Sequence, residues 1–131
     1  MRRHPTRQFV DFAHAVVDLG VDVFHGHSAH IFQGIEVHRG KPIMYDTGDF
    51  IDDYYVGPER NDQTFLFLVK AGRNGVVEIE LVPALISRCQ VNLARGRDAE
   101  DICRKMEVLS REMGTEVETE KNGGYHCLIK L

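Results

Sequence analysis

The stretch VFHGHSAHIFQ, residues 23–33, sets His25, His27 and His30 within six positions. In an extended segment residues i and i+2 point the same way, so His25 and His27 could share one metal ion. Gly26 lets the chain pass close to a ligand, and Ser28 and Ala29 let it bend before His30. Neutral imidazole suits zinc or iron, and manganese where carboxylates assist. Asp22, Glu36, Asp46, Asp49, Asp52 and Asp53 are the carboxylates close enough in sequence to assist. A catalytic zinc needs three protein ligands and an open position; a two-metal hydrolase needs more, usually with a bridging carboxylate. Spacing alone leaves two readings open: a metal or phosphate site, and a polar loop whose imidazoles only hydrogen-bond.

A second candidate is YDTGDF, residues 45–50. Gly48 permits a tight turn that presents Asp49 beside a strand end. There Asp49 either ligates metal or orients a histidine by accepting its hydrogen bond, or simply caps turn amides. His14 is expected to be half-buried and hydrogen-bonded; His38 and His126 are read as strand residues without companions. No GxSxG, Walker A, GxGxxG or HExxH motif occurs. Cys89, Cys103 and Cys127 are odd in number and widely spaced, so they form neither a disulfide framework nor a zinc pattern and are expected to be reduced, packed thiols.

These residues need elements to hold them. PTRQFVDFAHAVVDL, residues 5–19, has apolar residues at helical spacing, with Pro5 suited to the first turn and Gly20 to the end. VDVF, residues 21–24, reads as a short strand feeding the histidine loop. IEVH (35–38) and PIMY (42–45) flank Arg39-Gly40-Lys41 as a strand pair. Residues 46–63 read as an acidic loop. FLFLV (65–69) and VVEIELV (76–82) bracket Asn74-Gly75, a hairpin signal, and ALISRCQVNL continues extended. Asp98 is expected to open a second helix with Ile102, Cys103, Met106, Leu109 and Met113 on one face, stopped by Gly114. The tail alternates on both sides of Asn122-Gly123-Gly124 and should close as a hairpin. The result is a mixed α/β (α+β) chain, one domain over residues 1–131, with two helices and about seven strands. Two helices cannot cover both faces of that many strands, and FLFLV is apolar on both sides, so a further surface is expected to cover the remainder.

At 131 residues, 43% hydrophobic and 27% charged, the chain has the composition of a globular domain. A net charge of −4 with scattered basic residues gives no electrostatic reason to expect nucleic acid. No apolar run is long enough to span a bilayer, and no apolar segment follows the basic start as in a signal peptide. A cytoplasmic location is the expectation.

GHSAHIFQGIEVHRGKPIMYDTGDFIDD, residues 26–53, resembles the C-terminal signature of the CapA-type, poly-gamma-glutamate biosynthesis proteins of the metallophosphoesterase (calcineurin-like) superfamily, whose usual form is roughly GHHPHVLQGIEVYKGKPIFYSLGNFVFD. Gly26, His27, His30, Gln33 to Val37, Gly40 to Ile43, Tyr45, Gly48 and Phe50 fall in register. The preceding helix and Gly20 to Val23 are similar to the lead-in of that signature, and VVEIELVPALISRCQVNLA with the Asp98 helix is similar to its closing strand and helix. The likeness spans most of the chain, and its central stretch is specific.

The resemblance implies the C-terminal part of an α/β/β/α sandwich with a metal site at the strand ends. His27 and His30 match the family's late metal-site histidines. Asp49 stands where Asn is usual, Ser28 and Ala29 replace His and Pro, and His25 lies outside the common pattern. The family's early Asp-x-x, Gly-Asp and Gly-Asn-His motifs do not occur before residue 20. The expectation is therefore a stand-alone C-terminal portion of a bacterial CapA-like protein, catalytically incomplete alone, retaining a histidine-based site (His25, His27, His30, Asp49) for manganese, zinc or iron. If it is active, the chemistry is metal-dependent, phosphoesterase-like hydrolysis; no catalytic or substrate-binding residue is assigned. The alternatives are a non-catalytic oligomerising or binding module, with a homodimer as the expected assembly, and a subunit that completes a phosphoesterase site in trans with a separately encoded N-terminal half.

Overall fold

Helix α1 (Arg7–Asp18) starts where Thr6, in extended conformation, accepts a hydrogen bond from the Phe9 amide at 3.3 Å. Pro5 precedes this cap rather than sitting in the first turn. Beyond the C-cap Leu19, Gly20 takes φ 112° and turns the chain away. The stripe of α1 buries Ala13 and Val17, with Phe9 and Val10, against Ile43 and Tyr45. This computed structural model describes residues 1–131.

The surface under α1 is a three-stranded sheet in the order β1-β3-β2. Strand β1 (Phe24–His25) is only two residues long, shorter than the VDVF expectation. Strand β3 (Lys41–Met44) offers parallel partners to Phe24 and His25 alone, so Val21 and Asp22 stay outside the ladder. Strand β2 (Ile35–His38) runs antiparallel to β3. Arg39 and Gly40 join them, both with positive φ (50° and 73°), in the primed-turn geometry that matches strand twist.

The second sheet is built on β5 (Gly75–Ser87), with β4 (Gln63–Gly72) on one side and β8 (His126–Lys130) on the other. Strand β7 (Glu118–Glu120) adds to β8, and β6 (Gln90–Leu93) pairs with the end of β5. The expected strands at 76–82 and after 83 are thus one strand running through Pro83. Proline is tolerated because β8 pairs with Glu78–Leu81 and β6 with Ala84–Ser87, which leaves Pro83 where the partner changes. ALISRCQVNL, read as continuous, is broken by a turn at Arg88 and Cys89, both left-handed (φ 54° and 58°).

Helix α2 (Gly96–Glu112) begins two residues before Asp98, which sits in its first turn. Its buried face is Ala99, Ile102, Cys103, Met106 and Leu109, packed on Phe65, Ile79, Leu81, Cys127 and Ile129 of the larger sheet and on Phe32, Ile35 and Met44 below the smaller one. Each of the large side chains among them, such as Ile102, Met106 and Leu109, contributes roughly 1.5–3 kcal/mol on burial. The end of α2 also closes the free edge of β2: Ser110 Oγ accepts from the Ile35 amide at 3.0 Å, and Thr115 Oγ1 from the Val37 amide at 3.1 Å. Gly34 makes this approach possible, since a Cβ there would lie 2.3 Å from the Leu109 carbonyl oxygen.

Both helices are used on these inner surfaces, and the opposite face of the larger sheet carries neither. Leu66 and Leu68 alternate outward there, each 43% exposed, and β4 has a partner on one edge only. No helix is long and apolar enough to cross a membrane.

Candidate functional site

The histidine loop follows β1 and is held by the backbone of the segment after β3. The Gly26 amide donates to the Met44 carbonyl (2.7 Å), and the Gly26 carbonyl accepts from the Thr47 amide (3.2 Å). A Cβ at Gly26 would sit 2.1 Å from the Tyr45 carbonyl oxygen, so only glycine permits this approach. Asp46, 4% exposed, then organises the turn between the histidines. One of its carboxylate oxygens accepts from the Ser28 and Ala29 amides (2.8 and 2.6 Å), and the other accepts from the Gly48 amide (2.9 Å). Ser28 and Ala29, read as bend-forming residues, bend because Asp46 gathers their amides.

His30 occupies a left-handed conformation (φ 63°), which costs a non-glycine residue about 1–2 kcal/mol. Its Nδ1–H donates to both carboxylate oxygens of Asp49, at 3.0 and 3.1 Å. That bond fixes the ring, selects the tautomer and leaves Nε2 lone-pair-out on a side chain 43% exposed. Asp49 is itself buried, and burial holds its pKa above the usual carboxylate range; hydrogen bonding to His30 opposes this shift, while the neighbouring Asp52 carboxyl adds to it. Asp52 Oδ2 is shielded from solvent and has no hydrogen-bond partner. Two carboxylates facing each other in a poorly hydrated place favour taking up a proton or a cation.

The other two histidines lie on the far side of the loop. His25 Nε2 shares a hydrogen bond with Thr47 Oγ1 (3.1 Å), and His27, 55% exposed, brings Nδ1 to 3.9 Å from Asp46. Both line a cavity of about 310 Å³ with Thr47, Thr64 and Phe65. His30 lines a different cavity, of about 450 Å³, with Ser28, Gln33 and Asp46. The structure thus joins His30 to Asp49 and sets His25 beside His27, and it does not gather all four into one ligand shell. Each loop histidine still keeps a ring nitrogen outside these bonds, so the residues fit the donation of one or two imidazoles to an ion whose remaining ligands lie outside this loop.

One cluster does gather, and it was not read from the sequence. His14 on α1 and Glu36 and His38 on β2 bring ligand atoms within 4.8 Å of one another. His14 is half-buried and bonded, as expected, its Nε2–H donating to Glu36 (2.9 Å). His38, taken to be without companions, stacks on His14 with ring centroids 4.0 Å apart and bonds Asp18 (2.9 Å). His126, read the same way, pairs with Glu80. The signal available was two pairs at element spacing: His14 and Asp18 four apart on a helix, Glu36 and His38 two apart on a strand.

Against known proteins, residues 1–54 match the model of the bacterial capsule synthesis protein PGA_cap. A probable polyglutamine synthesis accessory protein of Mycobacterium tuberculosis is 34% identical over 116 residues, covering 84% of this chain and 30% of the relative. The PGA biosynthesis protein CapA of Bacillus subtilis is 34% identical over 71 residues, covering 54% of this chain and 18% of the relative. The capsule biosynthesis protein CapA of Bacillus anthracis is 32% identical over 71 residues, covering 54% and 17%. The chain therefore spans at most 30% of the length of these relatives. The match over residues 1–54 takes in α1, the histidine loop and Asp49, the parts whose geometry is described above. On this agreement of motif, position and similarity, the chain is CapA-like.

Proposed function

We propose that this chain supplies the late histidines of a metallophosphoesterase-type metal centre in bacterial poly-gamma-glutamate (capsule) synthesis, and that it is catalytically incomplete on its own. The observation that carries the reading is the His30–Asp49 hydrogen bond, which holds an imidazole with its second nitrogen free, the arrangement of a metal-ligating histidine and its orienting carboxylate. His27 and His30 are the donors, His25 a supplementary one, and Asp49 holds His30. Manganese, zinc or iron bound there would polarise a phosphoryl oxygen and lower the pKa of bound water. This chain's part is to present the imidazoles on a loop fixed by Asp46 and to keep Asp49 shielded from water. The donors lie on two sides of the loop, which supports incompleteness: an active centre needs ligands these residues do not bring.

The test is hydrolysis of bis-p-nitrophenyl phosphate with manganese, by the chain alone and by the chain mixed with the N-terminal part of a CapA-like protein. The reading expects no turnover above free metal for the chain alone, and turnover in the mixture that disappears with His27→Ala/His30→Ala. Turnover by the chain alone contradicts incompleteness.

A second reading, a non-catalytic oligomerising module, draws on the uncovered outer face of the larger sheet, where Leu66 and Leu68 stand exposed. A homodimer covering that face is its expected assembly.

A further inference from the structure

We propose that His14, Glu36 and His38 form a second divalent-metal site, for a zinc-class transition ion, that clips α1 to β2 independently of the histidine loop. Two imidazoles and one carboxylate are the donor set of open three-ligand zinc sites, and they disfavour magnesium or calcium, which prefer oxygen. The donors are already within 4.8 Å of one another. A tetrahedral ion with bonds near 2.0–2.2 Å needs donors about 3.3 Å apart, so the site closes by small side-chain rotations that tilt the stacked rings open. All three side chains are partly exposed, which gives the ion a route in and leaves a coordination position for water.

The surroundings are arranged as second partners of a ligand set. Tyr45, fully buried, donates its hydroxyl to the Glu36 oxygen that His14 does not use. Asp18 accepts from Nε2 of His38, which orients that ring and leaves its other nitrogen free. Asp18 is also tied to Arg39 at 3.3 Å. Binding breaks the hydrogen bond that His14 now makes to Glu36: the ring proton passes from Nε2 to Nδ1, so that Nε2 and the freed carboxylate oxygen both face the ion. Because imidazole ligates only in its neutral form, affinity falls with acidity.

The site is tested by titrating cobalt(II) into the chelator-stripped, tag-free chain and following the visible bands of low-symmetry, four-coordinate cobalt, with zinc as displacing ion. The variants are His38→Tyr, which keeps a ring against His14, Asp18→Asn, and the loop control His27→Ala/His30→Ala; circular dichroism checks the fold of each. The expected result is saturation with a cobalt equivalent retained in the loop control. Affinity falls more than about tenfold in Asp18→Asn, the usual cost of a lost orienting partner, and binding at this site disappears in folded His38→Tyr. Absence of saturable binding, unchanged binding in His38→Tyr, or loss of all binding in the loop control overturns the proposal. Loss in the loop control would instead place the ion on the histidine loop, so the two sites are judged separately.

Discussion

His30 and Asp49, nineteen residues apart in the chain, meet through a hydrogen bond of 3.0 Å that holds His30 in a left-handed backbone conformation. The loop is therefore not a run of imidazoles in solvent; one ring is locked and its free nitrogen turned outward. The bond is made by a carboxylate that burial disfavours as an anion, so the lock has a cost in stability.

That cost gives a signed pH dependence. The folded-state pKa of Asp49 is raised, so the folded chain holds this proton more tightly than the unfolded one, whose carboxyl titrates near about 4. The stability gained from this is complete below the unfolded value and is lost as pH rises through the folded value. Asp49→Asn, which keeps a hydrogen-bond acceptor for His30, removes that loss. At neutral pH its thermal midpoint should exceed that of wild type, with the difference shrinking in acid; calorimetry across pH measures it.

Asp46 should be the side chain on which the loop depends most. Asp46→Ala leaves the amides of Ser28, Ala29 and Gly48 without their acceptor. An unsatisfied buried group costs about 1–3 kcal/mol, and partial rehydration limits the total to roughly 2–4 kcal/mol. Urea unfolding gives the loss, and hydrogen exchange should show these three amides deprotected.

Backbone approach sets a steeper limit at Gly26. Gly26→Ala would drive a methyl group into the Tyr45 carbonyl oxygen, so β1 must leave β3 for the loop to survive. The expected loss exceeds about 4 kcal/mol, against about 1–2 kcal/mol for Gly40→Ala, where a Cβ meets nothing and only the strain of the left-handed backbone (φ 73°) remains. Thermal melts of the two variants decide it.

The outer face of the larger sheet predicts assembly. Multi-angle light scattering should report a dimer, and Leu66→Lys/Leu68→Lys should return a folded monomer, because both side chains point away from the core. A monodisperse wild-type monomer contradicts this.

Much of the fold was legible because its signals are local. The stripe Ile102, Cys103, Met106 and Leu109 marks α2, Gly114 marks its end, and Asn122-Gly123-Gly124 marks the last hairpin. The misses are cases where a partner decides. VDVF has the composition of a strand, yet β3 reaches only Phe24 and His25. Arg88 and Cys89 carry no turn signal and are forced left-handed by the pairing of β6 with β5. VVEIELV and ALISRCQVNL read as two extended segments in sequence, and Pro83 between them occupies the position where a single β5 changes neighbours. At the site, the roles considered for Asp49 included orienting a histidine, whereas the companions of His38 lie on a helix about twenty residues upstream, and only the packing of α1 on β2 brings them together.

The central claim is that His27 and His30 are metal donors, and residue-resolved paramagnetic broadening tests it most directly. Manganese(II) is titrated into the ¹⁵N-labelled chain while the histidine ring signals are followed by two-dimensional NMR. The account predicts that the His27 and His30 rings broaden at the lowest manganese, and that the loop is silent in His27→Ala/His30→Ala. Broadening spread evenly over exposed carboxylates, with the His27 and His30 rings unaffected, would contradict it.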